Sequence, residues 1–410
     1  MRIGILTYHC PPNFGAQLQA ISMVGYLKRV GHDPIVINWY PKDLESYYAQ
    51  HIPKKQIECH KQFTQQAFPL TPLIRTEGEL ISIIKNIRLD AIISGSDALF
   101  KYIPEKKRRY FDFRKMKYVK REPLSCMQLK GNPFWGDFLS KLGRKIPAIA
   151  FSVSSQNCPF TEMSFAERNT MGRYLEHYKY ITVRDIWTKE MVNTVSSHKN
   201  VVVTPDPVFS FNNNTYLDVP SKDLICKKYS LPSDYVLISF TGRYLGVEYI
   251  KEVSRCLRKV NLCPVALPMP EGVLCSGNEM KIDVPLSPLE WYALISHSKG
   301  YIGERMHPIV VCLHNSVPFY AFDYYGIKYR SPFTLKRKVK KTSSKTYLIV
   351  EDAGFLDNIF TYFSDKKQPS ADQVVSRLLN FDKEKSESFS RHKQSYFEES
   401  LNIALAELFK

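Results

Sequence analysis

Arginine and histidine side chains stand where two apolar, strand-like runs of the sequence end. Arg184 follows residues 181–183, and Arg305 and His307 follow residues 301–303. A guanidinium can hold a carboxylate or a phosphate through paired hydrogen bonds, and an imidazole can donate a proton near neutral pH. These residue types at these positions indicate a site that binds a small anion beside a general acid.

We assign the role of general acid to His307. An apolar segment, residues 309–313, follows it, so the ring is expected at the positively polarised N-terminus of a helix. If the preceding strand continues to Arg305, the pleat places both side chains on one face. The alternative for His307 is a structural histidine whose hydrogen bonds are satisfied by its neighbours.

Asp97 supplies a carboxylate to the predicted site. It follows the strand-like run 91–94, where it could orient or deprotonate a hydroxyl group. The alternative for Asp97 is an N-cap of the next helix. For Arg184, the alternative is an ion pair with its neighbour Asp185 at a helix start.

Weaker candidates also lie near strand ends. The first turn between strand and helix contains Asn13, Gly15 and Gln17. Glycine lets a ligand approach the backbone closely, and the N-terminus of the helix can bind a phosphate or another substrate group. Lys328 follows the last strand predicted for the second domain and could reach a phosphate, or it could belong to the basic loop that follows. Three further residues at or just past strand ends are secondary candidates: Tyr8, His9 and Arg243.

Alternating strand-like and helix-like patterns must position these side chains. Residues 3–8, 15–30 and 34–40 form a strand, helix and strand pattern. Further strand-like runs occur at 91–94, 146–153, 180–183, 201–204, 235–240, 264–267, 281–284, 301–303 and 317–322. The alternation predicts an α/β protein with parallel, doubly wound sheets.

Two such domains are expected. An Asn-rich stretch at 212–214 separates a first Rossmann-like domain, residues 1–215, from a second one, residues 225–345. Residues 365–410 have helical periodicity, and we expect these helices to pack back on the first domain. Two Rossmann-like domains facing a cleft form a GT-B-like arrangement, in which ligands bind at the carboxyl ends of the strands.

The net charge of +17 is concentrated in two short segments. Residues 101–121 contain ten basic and two acidic side chains among aromatic ones, and residues 328–345 contain eight basic and no acidic ones. Such blocks suit an anionic surface, either nucleic-acid phosphate or a membrane, near which each Lys or Arg contributes about 1 kcal/mol. We expect both segments to contact a membrane and to have no effect on the binding of a water-soluble substrate. The alternative is a solvated loop.

Composition argues against several other classes. No apolar run approaches the roughly 20 residues needed to span a bilayer, and the N-terminus lacks a signal-peptide pattern, so a cytoplasmic protein is expected. Nine cysteines without a C-x-x-C pair predict neither a disulfide framework nor a zinc site. A protein that only bound nucleic acid or membrane would explain the charge but not the cations at strand ends, and we expect no nucleic-acid partner.

Short motifs in order and spacing resemble the polysaccharide pyruvyl transferase family. They are residues 6–9 (LTYH), 13–19 (NFGAQLQ), 94–97 (SGSD), 183–185 (VRD), 206–207 (DP), 304–307 (ERMH) and 317–318 (VP). The resemblance implies transfer of a pyruvyl group from phosphoenolpyruvate to a sugar hydroxyl, with no metal and no cofactor beyond that donor substrate. It also implies a ketal across positions 4 and 6 of a galactose-like hexose.

The residue types agree with this chemistry. Phosphoenolpyruvate is a small trianion that needs several fixed cations, and its enol carbon C3 needs an acid while C2 is attacked by a hydroxyl. We place the acceptor on the first domain and the donor on the second. From the basic segments we infer that the acceptor is a lipid-diphosphate-linked saccharide of capsule or exopolysaccharide assembly, met at the inner face of the cytoplasmic membrane. The alternative function is a GT-B glycosyltransferase with a nucleotide-sugar donor.

Overall fold

The computed structural model describes residues 1–112, 116–198, 200–330, 337–365 and 367–410. Parts of both basic segments, residues 113–115 and 331–336, lie outside these ranges. Lys336 belongs to the second basic segment, so the expectation that it contacts a membrane falls outside the described residues.

The first half of the chain builds a parallel sheet. Its strands and those of a hairpin inserted between them are β1 (Arg2–Leu6), β2 (Asp33–Val36), β3 (Ala91–Ser94), β4 (Arg109–Asp112), β5 (Lys117–Lys120), β6 (Ala148–Val153), β7 (Tyr180–Val183) and β8 (Val202–Val203). Among the described residues, the sheet has the order β2-β1-β3-β6-β7-β8, and β4 pairs only with β5. The central strands are buried along their whole length, because helices cover both faces.

The second half repeats this arrangement. Its strands are β9 (Tyr235–Ser239), β10 (Cys263–Ala266), β11 (Met280–Lys281), β12 (Gly300–Gly303), β13 (Phe319–Asp323), β14 (Ile327–Arg330), β15 (Arg337–Lys340) and β16 (Ile359–Thr361). Within the described part of the chain, the sheet order is β11-β10-β9-β12-β13-β16, with β14 and β15 as a separate antiparallel hairpin. The predicted fold of two Rossmann-like domains is confirmed. The expected end of the second domain at 345 is wrong, because β16 pairs with β13 beyond it.

Helices connect the strands and cover the sheets. They are α1 (Phe14–Arg29), α2 (Lys42–His51), α3 (Lys54–Ala67), α4 (Glu77–Asn86), α5 (Glu105–Arg108), α6 (Phe165–Leu175), α7 (Ile186–Val195), α8 (Phe211–Asn214), α9 (Lys222–Tyr229), α10 (Val247–Lys259), α11 (Pro288–Ser296), α12 (Met306–His314), α13 (Lys345–Asp352), α14 (Ala371–Leu379) and α15 (Lys383–Phe409). Among the described helices, none is long and apolar enough to cross a bilayer.

The two C-terminal helices pack on different domains. Phe397 of α15 meets Tyr26 and Phe151 edge-on, so α15 returns to the first domain as expected. Helix α14 instead packs on the second domain, where Leu378 lies against Gly300 of β12. The expectation that all terminal helices pack on the first domain therefore holds for α15 and is wrong for α14.

Helix α1 joins the two domains through an apolar contact. Phe14 at its first turn stacks on Trp291 of α11, with ring centroids 5.2 Å apart. Gln56 of α3 adds a hydrogen bond of 2.8 Å from Nε2 to the carbonyl of Leu286. The buried core continues from the first domain into the second through these contacts. The N-terminus of α1 thereby fixes how the carboxyl ends of the two sheets face each other.

Candidate active site

An arginine between two aspartates forms the base of the cleft. Arg184 follows β7 and donates a hydrogen bond of 2.8 Å to Oδ2 of Asp206, and its other terminal nitrogen lies 3.5 Å from Oδ1 of Asp97. The three side chains are only 6%, 2% and 5% exposed. Gln19 of α1 also donates to Oδ2 of Asp206, at 2.7 Å. The first domain thus presents one buried cation held by two carboxylates at the edge of its sheet.

Neither alternative reading for Arg184 and Asp97 describes their contacts. Asp185, rather than Arg184, caps α7 by accepting a hydrogen bond of 2.7 Å from the amide of Thr188. Asp97 is followed by turns rather than a helix, and its φ of 96° lies in the left-handed region. A non-glycine residue there costs of order 1–3 kcal/mol, which the surrounding contacts must offset.

His307 enters the same cleft from the second domain. It is the second residue of α12, whose N-cap is Arg305, so the ring lies at the positively polarised helix end as predicted. Its Nε2 is buried and has no hydrogen-bond partner among the described residues. A Cβ at Gly15 would overlap the imidazole ring, so a residue without a side chain is needed opposite it. Gly15 therefore leaves the space that the ring of His307 occupies.

Lys345 lines the cleft, whereas the sequence analysis included it in the basic segment expected at a membrane. It is the first residue of α13, whose N-cap Ser344 donates a hydrogen bond of 2.8 Å to Oδ1 of Asp323 at the end of β13. That bond ties α13 to the carboxyl edge of the second sheet. Lys345 thus lines the cleft although it lies in the predicted membrane segment 328–345. A Ser-Ser pair before a helical run is the sequence signal that could have identified it.

The charges of this cluster shift one another's pKa values. Burial, Lys345 and Arg184 lower the pKa of His307 to about 4, against the opposing effect of Asp97 and Asp206. Burial and the charge of Arg184 lower the pKa of Lys345 to about 8. Burial would raise the pKa of Asp97, but the positive charges of Arg184, His307 and Lys345 outweigh it and lower the pKa. The positive charge of Arg184 and Lys345 therefore disfavours a proton on His307.

A cavity of about 240 Å³ between the domains opens onto His307 and Lys345 of this cluster. His307, Lys345 and Arg305 line one side, and Asn13 and Gln156 of the first domain line the other. Strand β12 ends at Gly303, so the condition under which the pleat would place Arg305 and His307 on one face is not met. Arg305 still faces the cavity, with its Nε unpartnered in the described structure. Its Nη2 lies 3.7 Å from Oε1 of Glu271, which lines the same cavity. Arg305 and Lys345, with the imidazole of His307 between the domains, can hold a small anion here.

Other predicted residues have different roles. Asn13 caps α1 by accepting a hydrogen bond of 3.3 Å from Ala16 and also lines the cavity. Gln17 is wrong as a ligand residue, because it is fully buried and its amide donates to the carbonyl of His9 and, at 2.9 Å, to Oγ1 of Thr64. Gln17 is the fourth residue of α1, so the direction of its side chain depends on which face of the helix is buried. The motif alone does not reveal that face.

Lys328 and Arg243 do not reach the cluster. Nζ of Lys328 donates to the hydroxyl of Tyr244 at 2.6 Å, and Arg243 is exposed with its guanidinium 5.8 Å from the centre of the Tyr324 ring. The expectation that Lys328 meets the donor phosphate is therefore wrong. Tyr8 lies on the first domain, packed edge-on against Phe134, and lines a second cavity together with Asp97.

Metal ligation is not apparent at the cleft. Across the described ranges, no group of three or more His, Cys, Asp or Glu side chains is placed to hold a metal ion. The cleft instead combines three cations, Arg184, Arg305 and Lys345, with the imidazole of His307 and the carboxylates of Asp97, Asp206 and Glu271. This set can bind an anion, transfer a proton and orient a hydroxyl group.

Solved structures with the same architecture define the class of fold. A protein assigned as a UDP-N-acetylglucosamine 2-epimerase from Listeria monocytogenes is 8% identical with a TM-score of 0.54, covering 100% of this chain and 96% of its own. Arabidopsis thaliana UGT89C1 complexed with UDP is 10% identical with a TM-score of 0.52, covering 99% of both chains. These likenesses establish a GT-B-like fold.

The family follows from the sequence itself. The family model described as polysaccharide pyruvyl transferase matches residues 13–325, and the chain belongs to this family. No curated protein matches the sequence significantly. The matched range includes Asp97, Arg184 and His307 but ends before Lys345, which only the fold brings to the cleft.

Proposed function

We propose that this pyruvyl transferase uses phosphoenolpyruvate as donor and forms a ketal on a hexose, with His307 as the general acid. The observation that carries the proposal is the convergence of Arg305, His307 and Lys345 on the cavity between the domains, with Arg184 and Asp97 close enough to shift the pKa values of His307 and Lys345. A donor with one carboxylate and one phosphate needs several such cations. No further cofactor and no metal take part in this proposal.

The reaction divides between the residues as follows. His307 gives a proton to C3 of the enol, which makes C2 electrophilic, and a sugar hydroxyl oriented by Asp97 adds to C2. The C2–O bond to phosphate then breaks, and a second hydroxyl of the same sugar closes the ketal. One hydroxyl proton replaces the proton lost by His307, and the other leaves with inorganic phosphate. The fixed cations stabilise the charge that collects on the departing phosphate.

Phosphoenolpyruvate is expected to stabilise the protein without a divalent metal. A ligand at one hundred times its Kd adds about 2.7 kcal/mol to the free energy of unfolding, which raises Tm measurably. Thermal-shift measurements in EDTA should show this rise with phosphoenolpyruvate but not with UDP-sugars or a short oligonucleotide.

The contradicting results of that experiment are equally specific. A rise in Tm that EDTA abolishes and Mg²⁺ restores would show that a metal completes the donor site. A rise with a UDP-sugar in place of phosphoenolpyruvate would support the alternative, a glycosyltransferase with a nucleotide-sugar donor.

We further propose that the acceptor is a lipid-diphosphate-linked saccharide of capsular or exopolysaccharide assembly, met at the inner face of the cytoplasmic membrane. Two described contacts place the basic segments on one side of the molecule. Lys107 forms an ion pair of 2.9 Å with Glu162, and Lys340 lies 4.4 Å above the ring of Trp187, which packs on Phe160. Both segments therefore flank the same turn.

Removal of exposed charge from the second segment should weaken membrane binding. Arg330, Arg337 and Lys338 lie exposed on β14 and β15, and each should contribute about 1 kcal/mol near an anionic bilayer. Replacement of all three by Gln should reduce co-sedimentation with anionic vesicles and flatten its dependence on salt. Equal vesicle binding by the variant and the parent protein would contradict the membrane proposal.

A further inference from the structure

A second cavity, of about 590 Å³, extends from the cleft along the first domain. It shares Asn13, Tyr48, Gln156 and Lys345 with the donor cavity, so the two spaces meet. Asp97 lines its wall. A molecule lying in this second cavity would reach the carboxylate and the donor cleft together.

Cations from the first basic segment line this cavity. Burial lowers the pKa of Lys101, and its ammonium has no ion-pair partner among the described residues. Arg121 is exposed and likewise unpaired within the described ranges, whereas Lys107 pairs with Glu162 and Arg108 donates to the carbonyl of Ile103. The segment thus directs part of its charge inward.

Glu162 pairs with Lys107, but no carboxylate among the described residues pairs with Lys101 or Arg121. Glu122 also lines the cavity, but its carboxylate pairs with Lys120 at 2.8 Å. Asp97 is engaged with Arg184. The cavity therefore has an excess of positive charge where it opens to solvent.

Two tyrosines provide a surface for a sugar ring. Tyr47 and Tyr48 of α2 line the cavity, and Tyr47 is 41% exposed. Aromatic faces beside a carboxylate suit a hexose, whose C–H groups pack on the ring while its hydroxyls meet Asp97. Tyr48 and Lys101 both lie close enough to Asp97 to interact with it electrostatically, so a ligand that contacts these rings also lies near the carboxylate.

We propose that this cavity binds an acceptor saccharide that carries a phosphate group, with the hexose toward Asp97 and the phosphate held by Lys101, Lys107 and Arg121. The inference rests on the proposed function and specifies its acceptor. It also corrects the expectation that segment 101–121 acts only at a membrane surface. Lys101 is largely enclosed and Arg108 is 8% exposed, so neither can meet a bilayer directly.

Direct binding tests this inference without any catalysis. Calorimetry should show that a hexosyl phosphate binds about tenfold or more tightly than the methyl hexoside, because the phosphate gains charge-assisted contacts. The double variant Lys107→Gln/Arg121→Gln should lose most of that advantage and bind the neutral hexoside as before. A matched control, Arg109→Gln/Lys117→Gln, removes the same charge from exposed hairpin positions that do not line the cavity, and should bind both ligands like the parent.

Each other outcome has a defined meaning. Equal affinity of the parent protein for the two ligands, or equal losses in the two double variants, overturns the inference. Loss of binding to saccharide-free anionic vesicles in the first double variant, without loss of hexosyl phosphate binding, assigns these charges to a membrane and also overturns it. Failure of the proposed function appears separately, as absence of ketal formation while hexosyl phosphate still binds.

Discussion

Replacement of His307 by Gln should lower turnover by about 10²–10⁴, the usual contribution of a positioned acid or base. The substitution keeps a hydrogen-bonding side chain at the start of α12 but removes the transferable proton. Release of inorganic phosphate from phosphoenolpyruvate in the presence of acceptor measures the effect. We expect the donor to raise Tm in the variant nearly as in the parent.

The pKa of His307 adds a second readout. In the free protein the pKa is about 4, so the imidazole is neutral at pH 7. A trianion placed among Arg184, Lys345 and His307 favours the protonated ring and raises that pKa. Donor binding at pH 7 should therefore take up a proton, which calorimetry in buffers of different ionisation enthalpy detects. His307→Gln should bind the donor without that uptake.

A control histidine separates this effect from a general one. His392→Gln changes an exposed histidine on α15 and should alter neither turnover nor proton uptake. Near-normal turnover in His307→Gln would show that another group protonates C3. Lys345, with a pKa of about 8, would then be the first group to examine.

Arg184→Ala should destabilise the fold as well as impair donor binding. The substitution leaves the carboxylates of Asp97 and Asp206 buried without their common cation. Loss of one partner from a buried ion pair typically costs 3–5 kcal/mol. Chemical denaturation should therefore show a decrease in the free energy of unfolding of about 3–5 kcal/mol.

Two comparisons test the cause of that loss. Arg255→Ala, at an exposed arginine 3.6 Å from Glu252, should change the free energy of unfolding by less than about 1 kcal/mol. Addition of Asp206→Asn to Arg184→Ala should recover part of the stability, because it removes one unpaired charge. Full stability of Arg184→Ala would contradict the buried network, and its effect would then lie in donor binding alone.

The alternation of apolar strands and helices was sufficient to predict the fold. Runs at 91–94 and 180–183 coincide with β3 and β7, because parallel strands buried on both faces consist of short apolar stretches. Strand β16 could not be found in this way. It has three residues, and its place beside β13 depends on a contact distant in sequence.

The candidate site was predicted where a side chain directly follows a strand. Arg184 does so and Asp97 lies three residues beyond the end of β3, and parallel topology brings such positions to one edge of the sheet. Lys345 was missed because a run of basic residues conceals one that turns inward. Gln17 and Lys328 were misplaced because side-chain direction and hairpin geometry depend on packing that no local motif encodes.

Transfer to an acceptor tests the central claim most directly. The protein is incubated in EDTA with a hexoside and either phosphoenolpyruvate or a UDP-sugar, and the product is analysed by mass spectrometry beside an assay for inorganic phosphate. The account predicts a mass gain of one pyruvate ketal with phosphoenolpyruvate, with one phosphate released per ketal formed, and no transfer from the UDP-sugar. A glycosylated product from the UDP-sugar, with no ketal from phosphoenolpyruvate on neutral or phosphorylated acceptors, would contradict it.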